Sequence, residues 1–133
     1  MKKDLQALCA VPTKSLDVGV KTASANGASA DLRGFHSCLV IVDSDLWTDG
    51  THTISLEDSD DNAAFTAVPA SNIIGSTPVI DGATKDDQAY KFGYSGGKRY
   101  LRVITTVAGA TTGAIYGSMI VPGHERAGGK LVK

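Results

Sequence analysis

The clearest pattern in this chain is a set of short runs after Gly34 in which apolar and polar residues alternate. In the run HTISLED, His52, Ile54 and Leu56 fall on one face and polar residues fall on the other. A period of two residues is typical of a β-strand with one buried face. The run CLVIV at 38–42 is apolar at every position, which predicts a central strand covered on both faces.

Further β-patterned runs fill the second half of the chain. Between Ala89 and Val121, three runs are joined by the connections GG at 96–97 and AGATTG at 108–113. Short glycine-rich turns between runs rich in Val, Ile, Thr and Tyr predict an antiparallel meander. The polar segment DSDLWTDG at 43–50 predicts a long turn, and AFTAV predicts a short strand. Residues 70–88 predict a longer connection with a small strand at 72–74 or 78–80.

These elements together predict one all-β domain. Period-two runs that recur at a spacing of roughly ten residues are typical of an antiparallel β-sandwich or jelly roll, here over residues 34–121. Residues 1–33 are weakly patterned and predict an extended N-terminal arm, and residues 122–133 have no periodicity and predict a C-terminal tail. A chain of 133 residues is long enough to bury one core without disulfides or metals.

The charge and cysteine content narrow the class of partner. With 13 basic and 14 acidic residues, nothing in the charge favours nucleic acid or an anionic membrane. No apolar window approaches the roughly 20 residues of a membrane span. Cys9 and Cys38 are the only cysteines, and Cys38 lies within an apolar run. We therefore expect free thiols and synthesis in a reducing cytosol.

No motif in the chain predicts catalysis, a metal or a cofactor. Gly93–Gly97 matches G-x-S-x-G, but the nucleophile elbow needs a following helix, and a strand pattern follows here, which predicts a hairpin turn. The histidines lack metal-ligand spacing, and the acidic cluster after Asp43 does not fit a calcium loop. The sequence leaves three roles open for Trp47: capping the end of the sandwich, anchoring an interface, or stacking on a sugar.

Three stretches carry a resemblance to a known family. They are RGFHSCLVIVDSDLWTDGTHTISLEDSDDNAAFTAV, DDQAYKFGYSGGKRYLRVITTVAGATTGAIYGSMIV and PGHERAG. In their order and spacing they resemble a family of small tailed-phage and prophage virion proteins, over residues 33–128. The resemblance implies a structural component of the particle: a capsid decoration (cement) protein or a minor head protein. It implies no catalytic residues.

The resemblance also sets the expected location and partners. We expect the protein on the capsid surface of the virion after synthesis in the host cytoplasm, bound non-covalently across neighbouring capsomers. The expected partners are the major capsid protein and the protein itself, as a homodimer or homotrimer. The predicted contact residues come from the arm, the Trp47 loop and the tail: Leu5, Leu8, Leu16, Trp47, His124 and Arg126.

Two alternatives remain beside decoration. The first is another virion part: a tail-tube, head–tail connector or fibre-associated protein. The second is a carbohydrate-binding module with Trp47, Tyr94 and Tyr100 as a stacking face. The decoration hypothesis also predicts that a chain without residues 1–30 keeps a folded core that no longer binds shells.

Overall fold

In the computed structural model, which describes residues 5–125, the chain forms eleven β-strands and one short α-helix, α1 (Leu5–Leu8). The strands are β1 (Thr13–Lys14), β2 (Gly19–Lys21), β3 (Ala25–Asp31), β4 (Phe35–Trp47), β5 (Thr51–Ser59), β6 (Thr66–Ala67), β7 (Ile73–Ile74), β8 (Val79–Ile80), β9 (Gln88–Tyr94), β10 (Tyr100–Ala108) and β11 (Ala114–Glu125). Within these residues, no helix has the length and apolarity needed to span a bilayer.

The strands form two antiparallel sheets that pack face to face. Sheet A has the order β1-β11-β4-β9-β7, with β2 also paired to β11. Sheet B has the order β3-β10-β5-β6, with β8 also paired to β5. The prediction of an all-β sandwich is confirmed.

The strand pairs are nested along the chain. β5 pairs with β6, β4 with β9, β3 with β10, and β1 and β2 with β11. Such nesting arises when a chain forms one long hairpin that then rolls into two sheets, which is the topology of a jelly roll. Of the two architectures that the sequence left open, the structure has the jelly roll.

The predicted meander between Ala89 and Val121 is wrong. β9 and β11 both pair with β4 in sheet A, whereas β10 lies in sheet B between β3 and β5. The connection at Gly96 and Gly97 therefore carries the chain from one sheet to the other and closes no hairpin. The strands themselves lie where the alternation placed them, because alternation reports which face is buried and is silent about the neighbouring strand.

Strand β4 is longer than predicted. The segment taken for a long turn begins inside it, since β4 continues to Trp47. Asp43 and Asp45 are exposed on the outer face, while Ser44 between them is buried. Their polarity therefore reflects one solvent-facing side of a strand. Small strands form at both of the suggested positions in the connection, Ile73–Ile74 and Val79–Ile80.

The core lies between the inner faces of the two sheets. Its most deeply buried apolar side chains, each at most 1% exposed, come from both sheets: Val40, Val42, Tyr116 and Ile120 from sheet A, and Ile54, Leu56, Ile80, Leu101 and Val103 from sheet B. Removal of this apolar surface from water is the main favourable contribution to folding.

The predicted N-terminal arm is wrong from Thr13 onward. Residues 13–31 contain three strands that pair in both sheets, and Leu16 and Ala30 are 3% and 2% exposed. The small residues of β3 allow close packing of this edge strand. A Cβ on Gly27 would lie 2.3 Å from the Ser15 hydroxyl, so this position requires glycine.

Ser15 joins the edges of the two sheets. In sheet A its N–H donates to the Ser118 carbonyl at 3.0 Å. In sheet B its carbonyl accepts from the Ala28 N–H at 2.8 Å, and its hydroxyl donates to the Ala28 carbonyl at 2.8 Å. The same hydroxyl accepts from the Val103 N–H at 2.9 Å. The segment that was predicted to extend away from the core therefore closes one side of it.

The predicted C-terminal tail is also partly strand. β11 continues to Glu125, and residues 122–125 pair with the start of β4. The N-terminal segment lies beside this end, since the Ala10 N–H donates to the Pro122 carbonyl at 2.7 Å and Cys9 bridges to Gly123. The rest of the predicted tail, Arg126 included, lies outside the described residues.

We predict that Leu16→Ala lowers the free energy of unfolding by about 2–5 kcal/mol, because it leaves a cavity in the core. Leu5→Ala is the matched control from the same predicted arm: Leu5 is 71% exposed, and its truncation should change stability by no more than about 0.5 kcal/mol. Urea unfolding followed by circular dichroism measures both values. Equal, small effects would restore the arm interpretation.

The same packing gives a second prediction, for a truncated chain. Deletion of residues 1–30 removes β1 and β2, which pair with β11 in sheet A. It also removes nearly all of β3, which is the edge strand beside β10 in sheet B. We therefore expect the truncated chain to lack cooperative unfolding, contrary to the expectation from sequence. A cooperative transition in calorimetry at the full-length midpoint would contradict this expectation.

Candidate functional site

The two outer faces of the sandwich differ in polarity. On sheet B, the outward residues of β5 include Thr53, Ser55 and Glu57, and Thr106 lies opposite Thr53 on β10. Arg102 pairs with Glu57 at 2.5 Å across the same two strands. This outer face therefore carries the polar side chains expected of a surface in water.

The outer face of sheet A carries an apolar patch. Leu39 and Met119 project outward from the two central strands and are 38% and 37% exposed, and Ile74 on the edge strand β7 is 62% exposed. Every exposed large apolar side chain among residues 5–125 lies on sheet A or on the N-terminal segments at its edge: Leu5, Val11, Val18, Val20, Leu39, Leu46, Ile74 and Met119. We call the outward residues Val18, Leu39, Ile41, Ile74 and Met119 the apolar face.

The strand register makes the apolar face continuous. Met119 lies opposite Ile41, and this pair is flanked by Lys14 on β1 and Lys91 on β9. In a parallel row, Leu39 lies opposite Gly93, which in turn lies opposite Ile74. Neighbours on one face of a sheet lie close enough for their side chains to touch. The result is an apolar patch across four strands with a lysine at each side.

The sequence contained a signal for this patch. The run at 38–42 is apolar on both faces, which predicted two covering layers. Sheet B covers Val40 and Val42 completely. Leu39 and Ile41, on the other side of the same strand, lie at the surface. Within residues 5–125, no second layer covers them as sheet B covers Val40 and Val42. A contiguous apolar area on one outer face makes that face the candidate for an interaction surface.

The predicted contact residues do not form one site. Leu16 is buried in the core and is not the exposed arm residue that the sequence interpretation required. Leu5 is exposed and Leu8 is half-buried, both on α1, which packs against β11. His124 is exposed, and its Nδ1 lies 2.7 Å from the Ser37 hydroxyl. Partner binding by Leu5, Leu8 and His124 stays a prediction.

Trp47 caps the end of the sandwich. Its ring packs against the core, and its Nε1–H donates to the Gly50 carbonyl at 2.9 Å. Of the three roles left open by the sequence, this geometry supports capping. Trp47 is the last residue of β4, whereas Tyr94, on the neighbouring β9, lies beside the other end of β4. Tyr94 is also only 5% exposed, so these two side chains form no common stacking face with Tyr100.

The Trp47 loop is fixed by Asp49. Its carboxylate accepts the N–H groups of Thr111, Thr112 and Gly113, with the shortest bond, 2.6 Å, from Gly113. These bonds, led by the one from Gly113, hold the pKa of the Asp49 carboxyl below its usual value. The Asp49 carbonyl also accepts from Nε2 of the buried His52 at 3.0 Å.

A polar cleft of about 340 Å³ lies at the other end, between the β3–β4 and β9–β10 connections. Its lining includes Arg33, Lys98, Arg99 and Asp60. Arg99 is held by Asp31 through bonds of 2.9 and 2.8 Å, and Lys98 lies 3.9 Å from Asp58. Two of the three cations that line the cleft are therefore paired with carboxylates outside its lining, Arg99 with Asp31 and Lys98 with Asp58.

Tyr94 closes the inner side of this cleft. Its hydroxyl donates to Asp58 at 2.7 Å, and Asp58 is only 4% exposed. Burial, followed by the bond to Asp58, raises the pKa of the Tyr94 hydroxyl far above its usual range. The pair is a buried hydrogen bond that stabilises the β9–β10 connection.

Within residues 5–125, no group of three or more His, Cys, Asp or Glu side chains is placed to hold a metal ion. Both cysteines are free, and burial raises the pKa of the Cys38 thiol to about 12, which makes it a poor nucleophile. The G-x-S-x-G segment is followed by strand β10, but it links the two sheets, so the prediction that it forms a hairpin turn is wrong.

Comparison with known proteins supplies the family. A family model described as Bbp16 matches residues 4–120. The chain belongs to the Bbp16 family. This phage-associated family supports a bacteriophage or prophage origin, which the sequence resemblance implied. No curated protein matches the chain.

Among solved structures, the chain is similar to the SPBc2 prophage-derived protein YomS, known from a crystal structure. The TM-score is 0.46 at 15% sequence identity, and the match covers 85% of this chain and 96% of that chain.

We predict that Asp49 makes stability depend on pH in acid. Because its folded-state pKa is lowered, its contribution is present above the unfolded value of about 3.9 and is lost as pH falls through the folded value. Thermal unfolding between pH 6 and pH 2.5 should therefore show a smaller acid-induced fall in midpoint for Asp49→Asn than for wild type. Asp45→Asn, which changes an exposed carboxylate on β4, should keep the wild-type fall.

Proposed function

We propose that this protein is a virion structural protein that decorates and stabilises the phage capsid by non-covalent binding across neighbouring capsomers. One observation carries the proposal: the apolar face of sheet A is opposed by a polar outer face on sheet B. A domain that attaches by one side to a large surface needs this polarity, with one face buried in the complex and the other in water.

Membership of the Bbp16 family, with its phage association, supports the virion setting. Physical properties of the domain support the capsid role. The core is a rigid double sheet, so the apolar face keeps its shape before binding, and little ordering entropy is lost on contact. Many copies on a symmetric shell convert modest single contacts into strong overall attachment.

The proposed contact surface differs from the one expected from sequence. Its centre is the apolar face and not the two chain ends. Leu5 and Val11 extend this surface along one edge, because their segments lie beside β11 and remain exposed. The proposed partner is the major capsid protein, with the protein oriented so that sheet A faces the shell.

Binding to undecorated, expanded heads of the same phage tests the proposal. Purified protein should co-sediment with them to saturation at a fixed number of copies per capsomer at physiological salt. We predict that Leu39→Asp weakens this binding by at least tenfold, because it places a charge in an apolar contact. Thr106→Asp adds the same charge at an exposed position of sheet B and should bind within about twofold of wild type.

The unfolding midpoints of both variants verify that they are folded. Equal binding by Leu39→Asp and wild type would remove the apolar face from the proposal. If wild-type protein does not bind heads, capsid decoration itself fails, and binding to purified tails or connectors would support the other virion roles.

A further inference from the structure

The apolar face has a depression at Gly117. The outward positions of β11 alternate with the buried ones, and Gly117 occupies the outward position two residues before Met119. Glycine is required there because a Cβ would lie 2.6 Å from Cγ2 of Val18. Val18 therefore packs directly on the Gly117 backbone, and a hollow lies beside this contact, between the β1–β2 segment and β4.

The hollow is a small apolar pocket of about 70 Å³. Leu16, Val18, Ile41, Gly117, Ser118 and Met119 line it, and Lys14 and Asp43 stand at its rim. Its volume is less than half of the roughly 150 Å³ cavity that accommodates benzene. The end of a branched aliphatic side chain fits this volume, whereas an aromatic ring does not.

Hydrogen bonds fix the position of the segment that forms one wall of the pocket. The Leu16 N–H donates to the Ser118 hydroxyl at 3.0 Å, and the Ser118 N–H donates to the Leu16 carbonyl at 2.9 Å. Lys21 fixes the far end of the same segment, because its ammonium donates to the carbonyls of Gly19 and Tyr116 at 3.3 and 3.2 Å. The pocket is therefore formed before any partner binds, which lowers the entropy cost of filling it.

We propose that this pocket receives one branched aliphatic side chain, Leu, Ile or Val, from the major capsid protein. The inference rests on the proposed function and adds the anchor point of the contact. Interfaces obtain most of their affinity from a few side chains that fill preformed pockets near the centre of the buried area. Lys14 and Asp43 at the rim further define the partner segment, which carries an acidic group facing Lys14 and a basic group facing Asp43.

A pocket-blocking substitution tests the anchor. In Ile41→Trp, the indole is too large to enter the hollow and covers its opening, and we expect binding to heads to weaken by at least tenfold. Thr106→Trp places the same ring at an exposed position of sheet B, outside the apolar face, and should change binding by no more than about threefold. Unfolding midpoints near that of wild type establish that both variants are folded.

Cross-linking identifies the occupant. A photoreactive benzophenone side chain at Lys14, which is exposed at the rim, should link to the major capsid protein on heads, next to a Leu, Ile or Val in the mapped peptide. The same group at Thr106 on sheet B should give no such product. A product that joins two copies of this protein would overturn the capsid protein as occupant.

A double-mutant cycle completes the test. Truncation of the mapped capsid residue to Ala should weaken binding of the wild-type protein and have little further effect on Ile41→Trp. Additive effects, or unchanged binding by Ile41→Trp while wild type binds normally, would overturn the pocket and leave capsid decoration standing. Failure of wild type to bind heads would instead refute the proposed function itself.

Discussion

The hydroxyl and backbone of Ser15 hold together the open side of this jelly roll. A sandwich of two sheets exposes unpaired backbone groups along each edge, and these groups must find partners. Here one residue bonds to Ser118 in sheet A and to Ala28 and Val103 in sheet B. Its neighbour Leu16 then enters the core, while Val18 returns to the surface of sheet A over Gly117. The apolar face and its pocket depend on this crossing.

The strand that organises the surface is β4. Its inner residues Val40 and Val42 close the core, and its outer residues Leu39 and Ile41 form the middle of the apolar face. One sequence run thus serves two packing layers, one inside the chain and one that we assign to a partner. The polar outer face of sheet B, with its Arg102–Glu57 ion pair, is assigned no packing against a partner.

Alternation in the sequence was sufficient to predict β-strands such as β5 and β10, because one buried face leaves a period of two. It was insufficient for strand partners: the glycines at 96–97 look like a hairpin turn, yet they link two sheets. The N-terminal region was misjudged because Ala25–Asp31 contains small residues, which indicate a loop locally but fit an edge strand that must approach Ser15 closely. The run CLVIV contains Leu39 and Ile41, the central residues of the apolar face, but only the fold shows which side of this strand is covered by sheet B.

The nested pairing has a consequence for how the protein is made. β1 and β2, near the beginning of the chain, pair with β11, near its end, and these contacts close only after both are available. Contacts between residues so distant in sequence require large loops to close and slow the folding of β-rich domains. During synthesis, the first strands therefore leave the ribosome long before their partner does. The finished sandwich, with its apolar face, forms only after translation of β11.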